Sequence, residues 1–480
     1  MEQTNTKASP SMTLREQMPV WIVVGIALFV NFLTFGLHIL PEIVASIARW
    51  VGLAGLAYLS YRRGSVTTWI LFALVFGAEV GHTFPAGAEW YSVLSKIFIK
   101  LIKTIVAPLL FGTLLVGIAG HSDIKSVGRM GIKALIYFEV VTTIALIIGL
   151  AAINFTKAGV GLPQMPTTEA LPELRKPMSG PEIVLHTFPD NVIKSISEGE
   201  ILQIVVFCLL FAIAMTQVSY ERRRPFLVFA ESLSEIMFKF TNIIMYFAPF
   251  GVGGAIAYTV AKLGLGVFAN LGMLLLTLYG ALIVFILGVL LPIALFFRIP
   301  IRRFLKYVSE PLTIAFATTS SEAALPKALE NMEKMGVSRR VVSFVLPTGL
   351  SFNLDGSTLY LSLAAVFVAQ AANIHMPIGA QITMLVTLML TTKGIAGVSR
   401  ASLVILTGTA ASFGLPDWPI AAILGIDALM DMGRTATNTL GNCLATAIVG
   451  QWEGETDFSD KISLNPEGSN AEGSILDSKV

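Results

Sequence analysis

Apolar runs of about 20 residues recur along almost the whole chain, and a run of that length is what a helix needs to cross a bilayer. They fall near 19–40, 42–60, 66–83, 92–120, 128–155, 200–218, 225–260, 267–297, 341–372 and 421–450. With no water available in lipid, every backbone polar group must find its partner inside the segment, which restricts such runs to helices. Composition agrees. Hydrophobic residues make up 54% of the chain and charged residues only 13%, where a soluble domain keeps about a quarter charged. The chain reads as an all-α multi-pass membrane protein. Its formal net charge of +2 is too small to indicate a nucleic-acid partner. Cys208 and Cys443 sit far apart in apolar segments and read as buried thiols, not as a disulfide or metal framework.

The run from Pro19 to Leu40 is too long for a signal-peptide core and lacks a small-residue cleavage site, so it reads as a retained helix. The next segment, "PEIVASIARWVGLAGLAYLSY", carries Arg49 and fits either a span or an interfacial helix. Residues 156–198, rich in proline and charge, form an extramembrane loop, and the acidic, polar C-terminal end reads as a disordered tail. Basic clusters stand at Arg62-Arg63, at Lys125/Arg129/Lys133, at 221–225, at 298–306 and at Arg339-Arg340, whereas loops 84–90 and 373–377 have neither lysine nor arginine. The positive-inside rule puts the basic loops in the cytoplasm.

Two stretches break the spanning pattern. Residues 302–340 have a moderately apolar first arm, a polar tip "TTSSE" and a second arm bearing Lys327, Glu330, Glu333 and Lys334. A re-entrant hairpin from the cytoplasmic side fits best. Residues 377–416 have two apolar arms around "TKGIAGVSR", each too short to span, and read as a second hairpin entering from outside. Between them, "SFNLDGST" (351–358) interrupts a span with residues that favour unwound backbone. A discontinuous helix offers carbonyls from one half and amides from the other, which suits a cation beside an anion.

The last apolar run contains "DALMDMGRTATNTLGN" (427–442). At about 100° per residue, Asp427, Asp431, Arg434, Thr435, Asn438 and Asn442 fall within an arc of about 100°. Charges at such depth cost several kcal/mol unless they face protein, water or ligand. Asp431 and Arg434, at i and i+3, can pair with each other. Alternatively, the arginine can hold a carboxylate bidentately, one turn from an aspartate that can hold an ammonium. With two hairpins and a broken helix alongside, the seam points to a transporter.

From about Thr67 to Glu455 the chain resembles the dicarboxylate/amino acid:cation symporter family, the glutamate transporter homologues. The resemblance rests on five motifs in order: "IKLIKTIVAPLLFGTLLVGIAG", "SSEAALP", "LPTGLSFNLDGSTLY", "KGIAGV" and "GIDALMDMGRTATNTLGN". It implies a glutamate-transporter-like fold with eight core transmembrane segments and two re-entrant hairpins. One or two extra N-terminal helices precede them here. It also implies a homotrimer in which a transport domain moves like an elevator against a fixed scaffold. The expected division is 1–64 for the extra segments and 65–300 for scaffold helices with part of the transport domain. Residues 301–450 would form the transport core and 451–480 a cytoplasmic tail.

Residue by residue, Arg434 matches the position that holds the substrate's side-chain carboxylate, and Asp431 the one that holds its amino group. Thr435 and Asn438 match substrate contacts. Ser320 and Ser321 match the first hairpin tip, and Ser357 replaces a usual threonine. Gly394 and Gly397 match the second tip, the extracellular gate. Asn353, Asp355, Asp427, Asn438 and Asn442 match cation-site positions. Departures concern coupling. Asn442 stands where many sodium-coupled members have aspartate. Val141 and Phe138 replace polar or tyrosine positions of a second cation site, although Thr142 and Thr143 remain nearby. Leu361 replaces a glutamate tied to potassium counter-transport in animal members. Glu139 and Glu322 are proton-carrier candidates instead, since burial raises a carboxyl pKa. Both also fit plain structural roles, Glu139 as a hydrogen-bonded carboxylate and Glu322 as a cap on the second hairpin arm.

The resemblance implies a plasma-membrane (inner-membrane) symporter for glutamate or aspartate, driven by Na+ and/or H+ and needing no cofactor. The alternative is a C4-dicarboxylate such as succinate, malate or fumarate. Asp431 favours the amino acid, because it would repel a dicarboxylate and dicarboxylate members tend to lack it. An enzyme is disfavoured: the five histidines are scattered without ligand spacing, and no phosphate-binding glycine loop is present.

Overall fold

The computed structural model describes residues 14–36, 39–119, 128–162, 185, 188–198, 201–392 and 401–458. Among these, the only extended pairing is an isolated antiparallel bridge between Val337 and Thr456. Everything else regular is helical, as lipid demands.

The N-terminal part forms two helices, α1 (Leu14–Asn31, prolonged by a π turn over Phe32–Gly36) and α2 (Glu42–Arg63). The segment containing Arg49 is thus a 22-residue helix in its own right, long enough to span. Its charge is met by Glu79 of α3 (Val66–Thr83): Arg49 Nε lies 2.7 Å from Glu79 Oε2, and Arg49 Nη1 donates to Asn31 Oδ1 at 3.0 Å. Thr83 Oγ1 donates to the other Glu79 oxygen at 3.0 Å.

α4 (Ala88–Ala119) and α5 (Gly128–Thr156) follow, then the short α6 (Val192–Glu198) and α7 (Ile201–Gln217). The run 225–260 is not one straight helix. It divides into α8 (Tyr220–Tyr246) and α9 (Ala248–Leu263), bent by 47°. Pro249, without an N–H and close to the break, accounts for the bend. α10 (Val267–Phe285) passes through a π turn at Ile286–Leu290 into α11 (Leu291–Phe296).

The first hairpin consists of α12 (Ile301–Thr318) and α13 (Ser321–Met335). Its tip turns through Thr319 at φ 53°, and Ser320 caps α13 by accepting from Ala323 N at 3.2 Å. The broken helix is α14 (Arg339–Phe352) and α15 (Asp355–Ala371), parted at Asn353 and Leu354. Among the described residues, six stretches are long and apolar enough to span, the bent pair making a seventh. In five of the six, 22–44% of the best window is buried, whereas in Arg339–Ala371 the share is 94%. The break is therefore sheathed in protein, a setting in which non-helical backbone is tolerated at membrane depth. α16 (Ile378–Thr391) and α17 (Ala401–Ser412) are the arms of the second hairpin, and residues 393–400 between them lie outside the described residues.

α18 (Trp418–Glu453) closes the fold. At 1.5 Å per residue its 36 residues extend about 54 Å. It packs against α9, α10, α12, α13, α14 and α15. This central placement, not lipid contact, buries the polar seam.

Candidate functional site

Asp427 and Arg434 are fully buried in α18, and Asp431 is 4% exposed. Spacings of three and seven residues place both carboxylates on the side of the helix from which Arg434 projects. Arg434 Nε donates to Asp431 Oδ1 at 2.8 Å, while Arg434 Nη1 lies 3.0 Å from Asp427 Oδ1 without the alignment of a hydrogen bond. Thr435 Oγ1 donates to the same Asp431 oxygen at 3.2 Å. From α15, the Tyr360 ring stacks under the guanidinium, 4.2 Å from its centroid to the guanidinium carbon, and Tyr360 OH donates to Asp427 Oδ1 at 3.5 Å. The arginine is thus wedged between two acids and an aromatic face. Among the described residues, Arg434 Nη2 and Asp431 Oδ2 have no hydrogen-bond partner. A buried polar atom left alone costs about 1–3 kcal/mol, so such a pair of atoms marks where a polar ligand is due.

One turn further on, Asn438 serves the break in α14–α15. Its Oδ1 accepts from Gly356 N at 2.8 Å and Ser357 N at 3.2 Å, and its Nδ2 donates to Ser357 Oγ at 2.9 Å. These are first-turn amides of α15 that have no partner within their own helix. Gly356 is required here, because a Cβ would run into the Arg434 carbonyl. The first hairpin tip reaches the same level: Thr439 Oγ1 donates to Ser321 Oγ at 3.5 Å, and Ser321 is buried.

A third cluster lies lower. Asn353 Nδ2 donates to Asp355 Oδ2 at 3.2 Å and to Asn442 Oδ1 at 3.1 Å. All three residues are essentially buried, and Gly441 lets Asp355 approach where any Cβ would collide with its carboxylate. Asn353 Oδ1 has no partner among the described residues. The Asp355 carboxylate and the Asn442 amide oxygen converge on Asn353 Nδ2, and oxygen donors of this kind suit a hard monovalent cation. No group of three or more His, Cys, Asp or Glu suited to a metal ion occurs among the described residues.

The structure therefore divides the candidate cation residues. Asn353, Asp355 and Asn442 meet, Asn438 caps α15, and Asp427 belongs to the Arg434 cluster, about 22 Å along α18 from Asn442. Ser357, Thr435 and Asn438 adjoin the Arg434 level. Ser320 faces its own helix as a cap and Ser321 faces α18. Gly394 and Gly397 lie outside the described residues. Glu139 is half-buried on α5, beside buried Phe138 and Val141. Glu322 is exposed in the first turn of α13, where a negative charge complements the helix dipole. Leu361 is fully buried.

Sequence reasoning missed Tyr360 and Thr439. Tyr360 follows Ser357 by three residues, so helical spacing could have placed it on the same face. Thr439 lies one turn after Thr435 and could have been found in the same way.

Comparison with known proteins gives a consistent result. The family model described as the sodium:dicarboxylate symporter family matches residues 66–452. A C4-dicarboxylate transport protein of Paraburkholderia phymatum is 42% identical over 399 residues, covering 81% of this chain and 93% of the relative. Proteins of the same name from Solibacter usitatus (40% over 402 residues, 82% and 94%) and Pectobacterium atrosepticum (42% over 408 residues, 84% and 94%) are similar to the same extent. The match begins at α3 and leaves α1 and α2 outside it.

Proposed function

Because the chain belongs to the sodium:dicarboxylate symporter family, we propose that it imports C4-dicarboxylates such as succinate, malate or fumarate, coupled to Na+ and/or H+. It is a carrier, not an enzyme, and works in the plasma (inner) membrane, as a homotrimer, by elevator-type alternating access. The basic loops face the cytoplasm.

The C4-dicarboxylate reading replaces the expectation of glutamate or aspartate, and one observation carries it. Asp431 had argued for an ammonium-bearing substrate, on the premise that its charge stands unpaired. Instead its Oδ1 already accepts from Arg434 Nε at 2.8 Å and from Thr435 Oγ1 at 3.2 Å. Asp431 is thus engaged inside the protein and is not an acid left waiting for an ammonium; because Arg434 also faces Asp427, the accompanying cation supplies the positive charge a dianion still needs. The names of the relatives support the same substrate class.

In this reading one substrate carboxylate takes Arg434 Nη2, and the second lies toward Ser321, Thr435 and Ser357. Asn353, Asp355 and Asn442 hold a coupling cation, with Glu139 and Glu322 as carriers where protons contribute. Cations must accompany the substrate for a physical reason. A dianion entering a negative-inside cell works against about 4.6 kcal/mol per 100 mV, and only co-transported positive charge reverses that sign. The second reading, import of an acidic amino acid, is favoured by Asp431 Oδ2, which has no partner among the described residues and could accept from an ammonium.

Uptake into proteoliposomes separates the two. Labelled succinate should accumulate under a sodium or proton gradient, and malate and fumarate should compete better than aspartate. Accumulation of aspartate but not succinate would reverse the assignment.

A further inference from the structure

α4 carries three lysines, Lys96, Lys100 and Lys103, and no arginine. At about 100° per residue the three fall within an arc of about 60°, one row on one face. The row begins about 12 Å from the Ala88 end of α4, which adjoins the loop free of basic residues, and reaches the middle of the helix at Lys103. A lysine at the centre of a lipid-facing helix costs about 3 kcal/mol on insertion scales. Three in a row on a helix meeting only lipid would be heavily disfavoured, so this face looks onto something polar.

The contacts of Lys103 show where that face looks. Lys103 Nζ lies 2.8 Å from Asp417 Oδ2, the residue immediately before α18, and α4 also packs against α17. The row therefore faces the junction of the second hairpin with the helix that bears the Arg434 site. Lys96 and Lys100 are exposed and form no ion pair among the described residues. Asp417 pairs with Lys103, and Glu89, on the same face nearer the Ala88 end, pairs with Lys262 at 3.2 Å, which leaves Lys96 and Lys100 as two positive charges on the approach to a site that takes acids.

We infer that Lys96 and Lys100 form an outer collecting site for small dicarboxylates, which concentrates the dianion beside the α17–α18 junction before it reaches Arg434. This rests on the substrate class proposed above. Lysine suits such a role because its ammonium is a flexible point charge that attracts a carboxylate without the fixed bidentate geometry of arginine, so capture is loose and release is fast. A charged lining of this kind raises local substrate concentration and association rate by tenfold or more, in a salt-dependent way.

The test is initial-rate uptake of labelled succinate by the full-length protein in neutral-lipid proteoliposomes. Wild type is compared with Lys96→Gln/Lys100→Gln and with Lys96→Arg/Lys100→Arg. Sodium is held fixed while choline chloride is varied from about 0.01 to about 0.5 M, a range that shortens the screening length from about 30 Å to a few ångströms. The glutamine variant should raise KM about tenfold at low salt, converge with wild type at high salt and keep its maximal rate, which also shows that it folds. The arginine variant should behave like wild type. An unchanged KM, or a fall in maximal rate at constant KM, overturns the inference. So does an effect that appears only when anionic lipid is added, since the row would then serve phospholipid headgroups. If wild type carries aspartate and not succinate, the substrate assignment fails by itself, and the same KM and salt comparison made with aspartate still decides the role of the lysines.

Discussion

The pair formed by Arg49 and Glu79 joins α2, outside the family match, to α3, inside it. Glu79 is 7% exposed, and its two oxygens accept from Arg49 Nε at 2.7 Å and Thr83 Oγ1 at 3.0 Å. Arg49→Leu removes the cation that faces this carboxylate across the ion pair. Breaking a buried pair from one side costs about 3–5 kcal/mol, because the remaining charge stays desolvated. The Arg49 side chain keeps 24% of its exposure, which puts the expectation near the lower figure. About 3 kcal/mol is a hundredfold change in the folded-to-unfolded ratio. Arg49→Leu/Glu79→Leu removes both charges from an apolar setting and should return to within about 1 kcal/mol of wild type, since a buried pair and its hydrophobic replacement are often of similar stability. The coupling energy from the double-mutant cycle should therefore be at least about 2 kcal/mol. Equilibrium unfolding in lipid-detergent micelles, followed by tryptophan fluorescence, measures it. A coupling near zero, or a double variant as unstable as Arg49→Leu, would refute the claim that α2 is docked on α3 by charge.

Three further outcomes follow from the site. Arg434→Cys should lower dicarboxylate uptake at least a hundredfold, because it removes the cation and leaves Asp427 and Asp431 facing the substrate; uptake within a factor of about three of wild type would exclude Arg434 from substrate binding. Asp431→Asn should leave succinate uptake within about tenfold of wild type, as the lost carboxylate is a partner of Arg434 and not of the substrate, and a selective collapse of aspartate transport would instead favour the amino-acid reading. Asn442→Asp adds a charge beside Asn353 and Asp355, so the sodium concentration for half-maximal uptake should fall about tenfold and thermal stability without sodium should drop. An unchanged sodium titration would remove that cluster from the cation path.

The features readable from sequence are those whose signal is local. The 302–340 hairpin shows itself because its charged second arm cannot cross lipid, and the broken helix because polar residues interrupt an apolar run, although of 351–358 only Asn353 and Leu354 leave the helix while Asp355, Gly356 and Ser357 form the first turn of α15. The seam of α18 shows itself because helical period alone gathers six polar side chains. What escaped is tertiary. Arg49 and Glu79 each appear as a stray charge in an apolar run, and nothing in a 30-residue separation on two helices announces a partner. Tyr360 is one of two aromatics in a buried helix, and the crossing of α15 over α18 turns it into the face that receives Arg434. The substrate turned on the same limit. Asp431 and Arg434 at i and i+3 read equally well as two claws for the two ends of an amino acid or as an internal pair. In the fold the Arg434 side chain lies back along α18 toward both aspartates, which matches the internal pair, and its Nη2 has no hydrogen-bond partner among the described residues. One cation shared between two acids binds a further anion only if other positive charge arrives with it, so the arrangement that masks Asp431 also makes substrate binding depend on the coupling ion.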